Sequence, residues 1–282
     1  MTILVAILAL QETDEDYHAL VAQRARNRAA AQQLMRIAVG ALDDGKYERA
    51  VALAKEAHGR RLRAAKAHDR LGEILRGLVP ALLAKLDGPE ANDEASKRLG
   101  ALGPPALCHL ARLRPGLKGA AAARVDDLLG GATVEAKGIV RQWAEEARAS
   151  SEWTDSSWAA KQATGRPDTK AGSASTSWCA HAADGGEEWL RLKYRVAVRV
   201  SRVRVRETVN PGGVVAVDVI GLDGERRRAW SGARAEAGDA EWFEIDLKGE
   251  EGREIVLLLD TKRSLGWEEI DAVELIGEAV EE

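Results

Sequence analysis

Cysteine is almost missing from this chain. Cys108 and Cys179 are the only two in 282 residues, too few for a disulfide framework or a cysteine-based metal motif. They are read as unpaired buried thiols. Histidine is also sparse, and none of the five stands in an HExxH motif or an i,i+4 pair, so the zinc-hydrolase signature is excluded. No apolar stretch approaches the roughly 20 residues a membrane-spanning helix needs. A large charge of one sign is lacking too. Residues 1–150 hold 23 Lys and Arg against 19 Asp and Glu, and the remainder 18 against 26. The acidic C-terminal half repels phosphate backbones, so nucleic acid is not an expected partner. Arg60-Arg61-Leu62-Arg63 lies in a helical pattern with acids nearby and reads as a solvated face.

What is present divides at about residue 149. Apolar content of 45% with 30% charge suits a globular chain long enough for two domains. The first half is rich in Ala, Leu and Arg. Leu20, Val21, Leu34, Ile37, Ala38 and Leu42 recur at helical spacing. Asp43-Asp44-Gly45 breaks that helix, and Tyr47, Ala50, Val51 and Ala54 open another, giving an αα-hairpin. Residues 79–83 and 104–108 each place Pro before a short apolar run, where a helix start tolerates it. Each run leads through a loop (residues 87–89 and 114–116) to a second helix ending at Gly103 or Gly130-Gly131. Residues 134–149 read as one more helix, with Trp143 on its apolar side.

Beyond that point seven of the eight tryptophans appear and period-2 alternation takes over. Leu190, Leu192 and Tyr194 alternate with Arg191 and Lys193. Val203 and Val205 alternate with arginines. Val215, Val217 and Val219 follow the turn Asn210-Pro211-Gly212-Gly213, and further strands center on Ile245, residues 254–260 and residues 270–276. Short strands with turns every 8–12 residues predict an antiparallel β-sandwich.

At the N-terminus, the apolar run of residues 3–10 precedes an acidic stretch at residues 12–16. This fits a signal-peptide core with a small-residue cleavage point at Ala9, although the basic leading region is missing. A terminal strand or helix turn packed on the body is the alternative. The expectation is export, with residues 1–11 as a signal segment, 12–147 as the helical domain and 148–282 as the sandwich.

Several motifs occur in a particular order: Glu152-Trp153, Ser157-Trp158, Gly165-Arg166-Pro167-Asp168-Thr169, Ser177-Trp178, Gly185-Gly186-Glu187-Glu188-Trp189-Leu190, Asn210-Pro211-Gly212-Gly213 and Trp267-Glu268-Glu269-Ile270. Together they resemble the galactose-binding-like modules related to discoidin, the coagulation-factor type C domain. The two Pro-led units resemble short HEAT-like repeats. The resemblance implies a two-domain chain: an all-α N-terminal part, then an all-β antiparallel jelly roll of eight strands. Such modules bind glycans, phospholipid head groups or proteins through loops at one barrel end, often with a structural calcium. A fold alone does not name the ligand.

Tryptophan faces stack on sugar C–H surfaces. Trp153, Trp158 and Trp267 lie in or beside turns and, with Thr169, are the candidate ligand-binding residues; packing and ligand contact both stay open for the tryptophans. Trp178 and Trp189 fall where the family keeps core aromatics, and Trp230 and Trp242 lie on strand patterns, so all four are expected in the core. The resemblance implies Asp168 and Glu274 as calcium ligands. The usual Asp-Gly of that loop is replaced by Pro167-Asp168-Thr169, so Asp168 as an ordinary turn residue stays open. Cys179, His181 and Asp184 are close in sequence, but a nucleophile site is defined by converging geometry, and they read as loop residues. The chain is therefore expected to be a non-catalytic binding protein for a carbohydrate or cell-surface ligand, its helical half a spacer or tether. The alternative is an adaptor that docks partner proteins through the helices and the sandwich.

Overall fold

The computed structural model describes residues 2–86, 93–232, 241–264 and 266–281, with side chains described from Tyr17 onward except at 93 and 241. The first of the two expected loops after a Pro-led helix, residues 87–89, lies outside them. The chain forms two compact units, residues 1–102 and 103–282.

The first unit is built on a long antiparallel hairpin of α1 (Thr2–Asp43) and α2 (Tyr47–Leu86), followed by α3 (Asp93–Ala101). The apolar run of residues 3–10 forms the first turns of α1. No helix of the described residues is long and apolar enough to cross a membrane. The hairpin turn falls where Asp43-Asp44-Gly45 predicts it. Gly45 takes φ +73°, and the Lys46 amide reaches back to the Ala41 carbonyl. The hairpin core is dominated by alanine: Ala31, Ala38, Ala50, Ala57, Ala64 and Ala67 are all buried. Such small side chains let two helices approach closely along their length. Tyr17 anchors α1, its hydroxyl donating to the Leu102 carbonyl at 2.6 Å.

Pro80 does not start a helix. It lies inside α2, where a proline removes a backbone bond and crowds the preceding turn. Leu71, Leu75, Leu78, Val79, Leu82, Leu83 and Leu86 stay buried on either side of it. Burying this stripe offsets the local loss, at about 1.5–3 kcal/mol per fully buried side chain. Pro104 and Pro105 do occupy the first turn of α4 (Pro104–Leu113), which is followed by α5 (Gly119–Leu128) in the second unit.

Among the described residues the second unit continues into nine antiparallel strands: β1 (Thr133–Val134), β2 (Ile139–Trp143), β3 (Glu146–Ala149), β4 (Glu187–Val209), β5 (Val214–Gly221), β6 (Arg226–Ser231), β7 (Glu241–Asp246), β8 (Glu251–Asp260) and β9 (Glu269–Ala279). The helix expected over residues 134–149 is instead β1–β3, and strands begin fifteen residues before position 148. Trp143 ends β2, opposite Glu274 of β9. The partner of β2 is some 130 residues away, which local spacing does not reveal.

The strands read separately around Leu192 and Val203 are one 23-residue strand. Its first part (187–193) pairs with β3 and β8, and its last part (202–209) with β7 and β9. β4 thus passes from one layer of the sandwich to the other, and the register shifts between Val200 and Arg202. Gly277 lies opposite Val200 there, and a Cβ on it would stand 2.3 Å from the Arg199 carbonyl oxygen. The layers close on Leu190, Leu192, Val203, Val205, Val217, Ile255, Leu257, Val273 and Leu275, all buried.

Candidate functional site

Three segments meet at one end of the sandwich: the long connection from β3 to β4 (residues 150–186), the turn after β4, and the turn before β9. The first is pinned by backbone bonds. Trp153 N donates to Cys179 O, Trp158 N to Ser175 O and Cys179 N to Trp158 O, at 3.1–3.2 Å. Trp178 exchanges two backbone bonds with Ile270 at 2.8 and 2.9 Å, and its indole donates to Ser151 O at 3.0 Å. It is the buried pin of this end. The other two segments are joined by Asn210, whose amide donates to the Trp267 carbonyl at 2.9 Å.

These links shape an open depression of about 500 Å³, walled by Trp153, Trp158, Trp267 and Val209, with Ser173, Asn210, Cys179 and Glu269 supplying polar atoms. Trp153 and Trp267 are 43% and 42% exposed, and their rings pack edge to face with centroids 5.4 Å apart. A large aromatic pair held exposed in one orientation is unusual, because burying it would be favorable. Three residues of the wall sit at positive φ: Trp158 (+52°), Asn210 (+44°) and Gly266 (+89°). Only the first is costly, since a bulky side chain rarely adopts this backbone, and such strain collects at binding sites.

Among the described residues, Glu269 is the one charged residue in the lining. It is buried, accepting from the Ser173 hydroxyl and, at 3.0 Å, from the Ala174 amide. Burial pushes the Cys179 thiol up to about 12, and the Glu269 charge adds to the effect. Cys179 is therefore a thiol at neutral pH and no nucleophile. Its sequence neighbors do not converge on it. The His181 ring lies 6.1 Å from Trp153, and Asp184 accepts from the Gly266 amide.

The site residues read from sequence divide into those the fold brings together and those it does not. Trp153, Trp158 and Trp267 share the depression. Thr169 and Asp168 lie on the connection above β9, in a second cluster. The Thr169 amide donates to Asp271 at 3.3 Å, and its hydroxyl contacts Asp168 at 3.2 Å and the Thr176 hydroxyl at 3.0 Å. Burial raises the Asp271 carboxyl to about 6; the Thr169 amide opposes this, and the adjoining Asp168 carboxyl supports it. Two carboxyls and two hydroxyls form an all-oxygen donor set, the chemistry a hard cation such as calcium takes. Glu274 is not part of it. Both its oxygens are taken by Arg141 (3.0 and 2.9 Å) and one also by Arg204 (2.7 Å). A buried carboxylate between two guanidiniums is already neutralized, whereas Asp271, on the same strand, is the acid that faces Asp168 and Thr169.

The tryptophans assigned to the core also divide. Trp178 is 1% exposed, but Trp189 is 37% exposed. In the first part of β4 the buried residues alternate as Leu190, Leu192 and Tyr194, so Trp189 falls on the outward phase. Trp230 and Trp242 are half-buried. Trp242 lies against Trp143, and the Arg204 guanidinium covers its face 4.4 Å from the ring center. Sequence reasoning missed Glu269 and Asp271. Their signal was two acids flanking Ile270 in an otherwise apolar strand.

The family model of the pappalysin-1 SD scarf domain, C-terminal, matches residues 132–282. The chain belongs to this family. Among curated proteins no match is found. Solved structures similar to the scarf-domain half include chitosan-binding module 1 of a chitosanase/glucanase from Paenibacillus sp. IK-5. It shows 15% identity and TM-score 0.38, covering 47% of this chain and 94% of the module. The family 32 carbohydrate-binding module of NanJ from C. perfringens, solved with galactose, shows 14% identity and TM-score 0.36, covering 48% and 98%. The lectin domain of lectinolysin, solved with Lewis b antigen, shows 15% identity and TM-score 0.38, covering 48% and 93%.

Proposed function

We propose that the scarf-domain unit is a non-catalytic module that binds a carbohydrate, or a cell-surface ligand presenting one, in the depression between Trp153 and Trp267. The observation that carries this reading is the exposed, edge-to-face tryptophan pair at the mouth of a cavity with few but convergent polar groups. Indole faces take the C–H side of a sugar ring, while Asn210, Ser173 and the Glu269 carboxylate offer partners for hydroxyls. Calcium would be held by Asp168, Asp271, Thr169 and Thr176 as a structural ion. It would fix the connection that carries Ser173 to the cavity wall. We place the protein outside the cytoplasm, on the apolar run of residues 3–10 before an acidic stretch.

A glycan panel titrated calorimetrically against the chain, with and without calcium, tests the reading. Saturable binding that is lost in Trp153→Ala and Trp267→Ala is expected. Binding that survives both substitutions would place the site elsewhere.

A second reading, protein docking by the helical unit, has one observation in its favor. Val39, Leu42, Tyr47 and Val51 are all about half exposed or more around the α1–α2 turn. A partner seated there would be lost on Tyr47→Asp, with glycan binding intact.

A further inference from the structure

Near the start of the second unit, α4 carries a cysteine and a histidine in succession, and both are buried: Cys108 is 2% exposed and His109 9%. Histidine in a protein interior needs a polar reason to be there. The residue that meets it comes from the far end of the chain. Glu281, just beyond β9, places Oε1 3.5 Å from His109 Nε2. The thiol sulfur, an imidazole nitrogen and a carboxylate oxygen of these three residues all lie within 4.8 Å of one another. The segment carrying Glu281 is held in place. The Val280 amide donates to Ala197 O at 2.9 Å, and Arg112 donates to Ala279 O at 3.1 Å.

We propose that Cys108, His109 and Glu281 form a binding site for a zinc-like divalent transition metal, which fastens the last strand of the scarf domain to α4. The donor set decides the class of ion. Thiolate sulfur with imidazole nitrogen and one carboxylate suits Zn²⁺ and its neighbors, whereas calcium takes oxygen alone. A tetrahedral ion with bonds of about 2.0–2.3 Å keeps its ligand atoms roughly 3.3–3.8 Å apart. The His109–Glu281 separation already fits, and the Cys108 sulfur, within 4.8 Å of both, would exchange its contact with the Pro105 carbonyl (3.5 Å) for the ion. Three protein ligands leave a fourth position, which water would take; Glu281, the partly exposed member, gives the ion its way in.

On binding, the Cys108 S–H bond breaks, its proton leaves to solvent, and the freed sulfur pair forms the S–metal bond. His109 binds through the lone pair of a ring nitrogen, any proton on that nitrogen leaving to solvent as well, so metal binding strengthens as pH rises. Arg112 Nη1 stands 3.4 Å from Glu281 Oε1 and orients the carboxylate from outside. The site is distinct from the all-oxygen Asp168–Asp271 cluster, and it does not depend on the proposed glycan function.

The test is titration of the full chain with Co²⁺ and then Zn²⁺ in excess calcium. One equivalent of Co²⁺ should produce a thiolate-to-cobalt charge-transfer band, which one equivalent of Zn²⁺ abolishes. Cys108→Ser and His109→Gln should each weaken binding by more than the roughly 10–100-fold that outer-shell changes cost, and Cys179→Ala should not change it. Thermal melting of each variant without metal, compared with the parent, establishes that the fold is kept. If the parent chain gives no thiolate band, or the Cys108 and His109 variants bind as it does, the proposal is wrong. The cluster is then a polar contact between His109 and Glu281 that holds no metal.

Discussion

The sharpest consequence of the site geometry is that two tryptophans at the same end of the sandwich, Trp178 and Trp267, should respond differently to removal. Trp178 is 1% exposed, and its indole satisfies the Ser151 carbonyl at 3.0 Å. Trp178→Ala creates a large cavity and strips that carbonyl of its partner, which together cost about 3–5 kcal/mol. For a unit of this size that lowers the melting temperature by roughly 6–20 °C. Trp267 is 42% exposed and gives up chiefly its edge-to-face contact with Trp153. Such a contact is worth about 0.5–1.5 kcal/mol, so Trp267→Ala should move the melting temperature by only a few degrees. Its effect belongs in binding. Losing one stacking face of similar worth weakens a glycan about 2- to 13-fold, since each 1.4 kcal/mol is tenfold. Differential scanning calorimetry and titration calorimetry on the same samples separate the two effects. If Trp267→Ala melts as early as Trp178→Ala, Trp267 is a packing residue and the platform does not exist.

Other expectations follow from the same features. Asp271 has a folded pKa of about 6, above its unfolded value near 3.9, so it holds its proton more tightly when folded. Its contribution to stability is therefore full below about pH 4 and is lost as pH rises through 6. Asp271→Asn should flatten this decline in denaturant titrations, and calcium should reverse it in the parent chain. An unchanged pH profile in Asp271→Asn would remove the buried-carboxyl argument. The Cys179 thiol, pushed up to about 12, should resist iodoacetamide in the native protein at pH 8 and react once unfolded. Rapid native labeling would contradict its burial. A chain of residues 103–282 should melt cooperatively, whereas residues 148–282 should be far less stable. The shorter chain lacks β2, which pairs with β9 from Ile139 to Trp143; equal stability of the two would show β2 to be dispensable.

Where the sequence could be read, local periodicity or turn chemistry was enough. The α1–α2 turn is dictated by Asp43-Asp44-Gly45, and the inward phase of β4 by Leu190, Leu192 and Tyr194. That same alternation puts Trp189 outward, so its exposure was available from the residues. The family likeness pointed the other way, and the alternation prevailed. What could not be read depends on distant partners. β2 is a strand because β9 covers it, and Glu274 is a structural acid because Arg141 and Arg204 reach it from two other strands. Pro80 looked like a helix boundary because a proline alone is read as one. The leucine stripe on both sides of it decides otherwise.

The two acids flanking Ile270 show how one strand can serve the core and the site together. Ile270 is fully buried and is locked to the backbone of Trp178. Glu269 on one side holds Ser173 and Ala174, and Asp271 on the other holds the Thr169 amide. The connection from β3 to β4 is long and has little regular structure. Its own backbone bonds, from Trp153 and Trp158 to Cys179 and Ser175, are supplemented by three consecutive residues at the start of a buried strand. Carboxylates suit this task because each accepts several amide or hydroxyl protons at once. Their cost is desolvation, which appears in the raised Asp271 carboxyl. The proposed cation between Asp168 and Asp271 would relieve that cost at the Asp271 carboxyl, and the proposed ligand would meet Glu269 two residues away on the same strand end. Calcium is therefore expected to strengthen glycan binding, which the calorimetric titration with and without calcium checks.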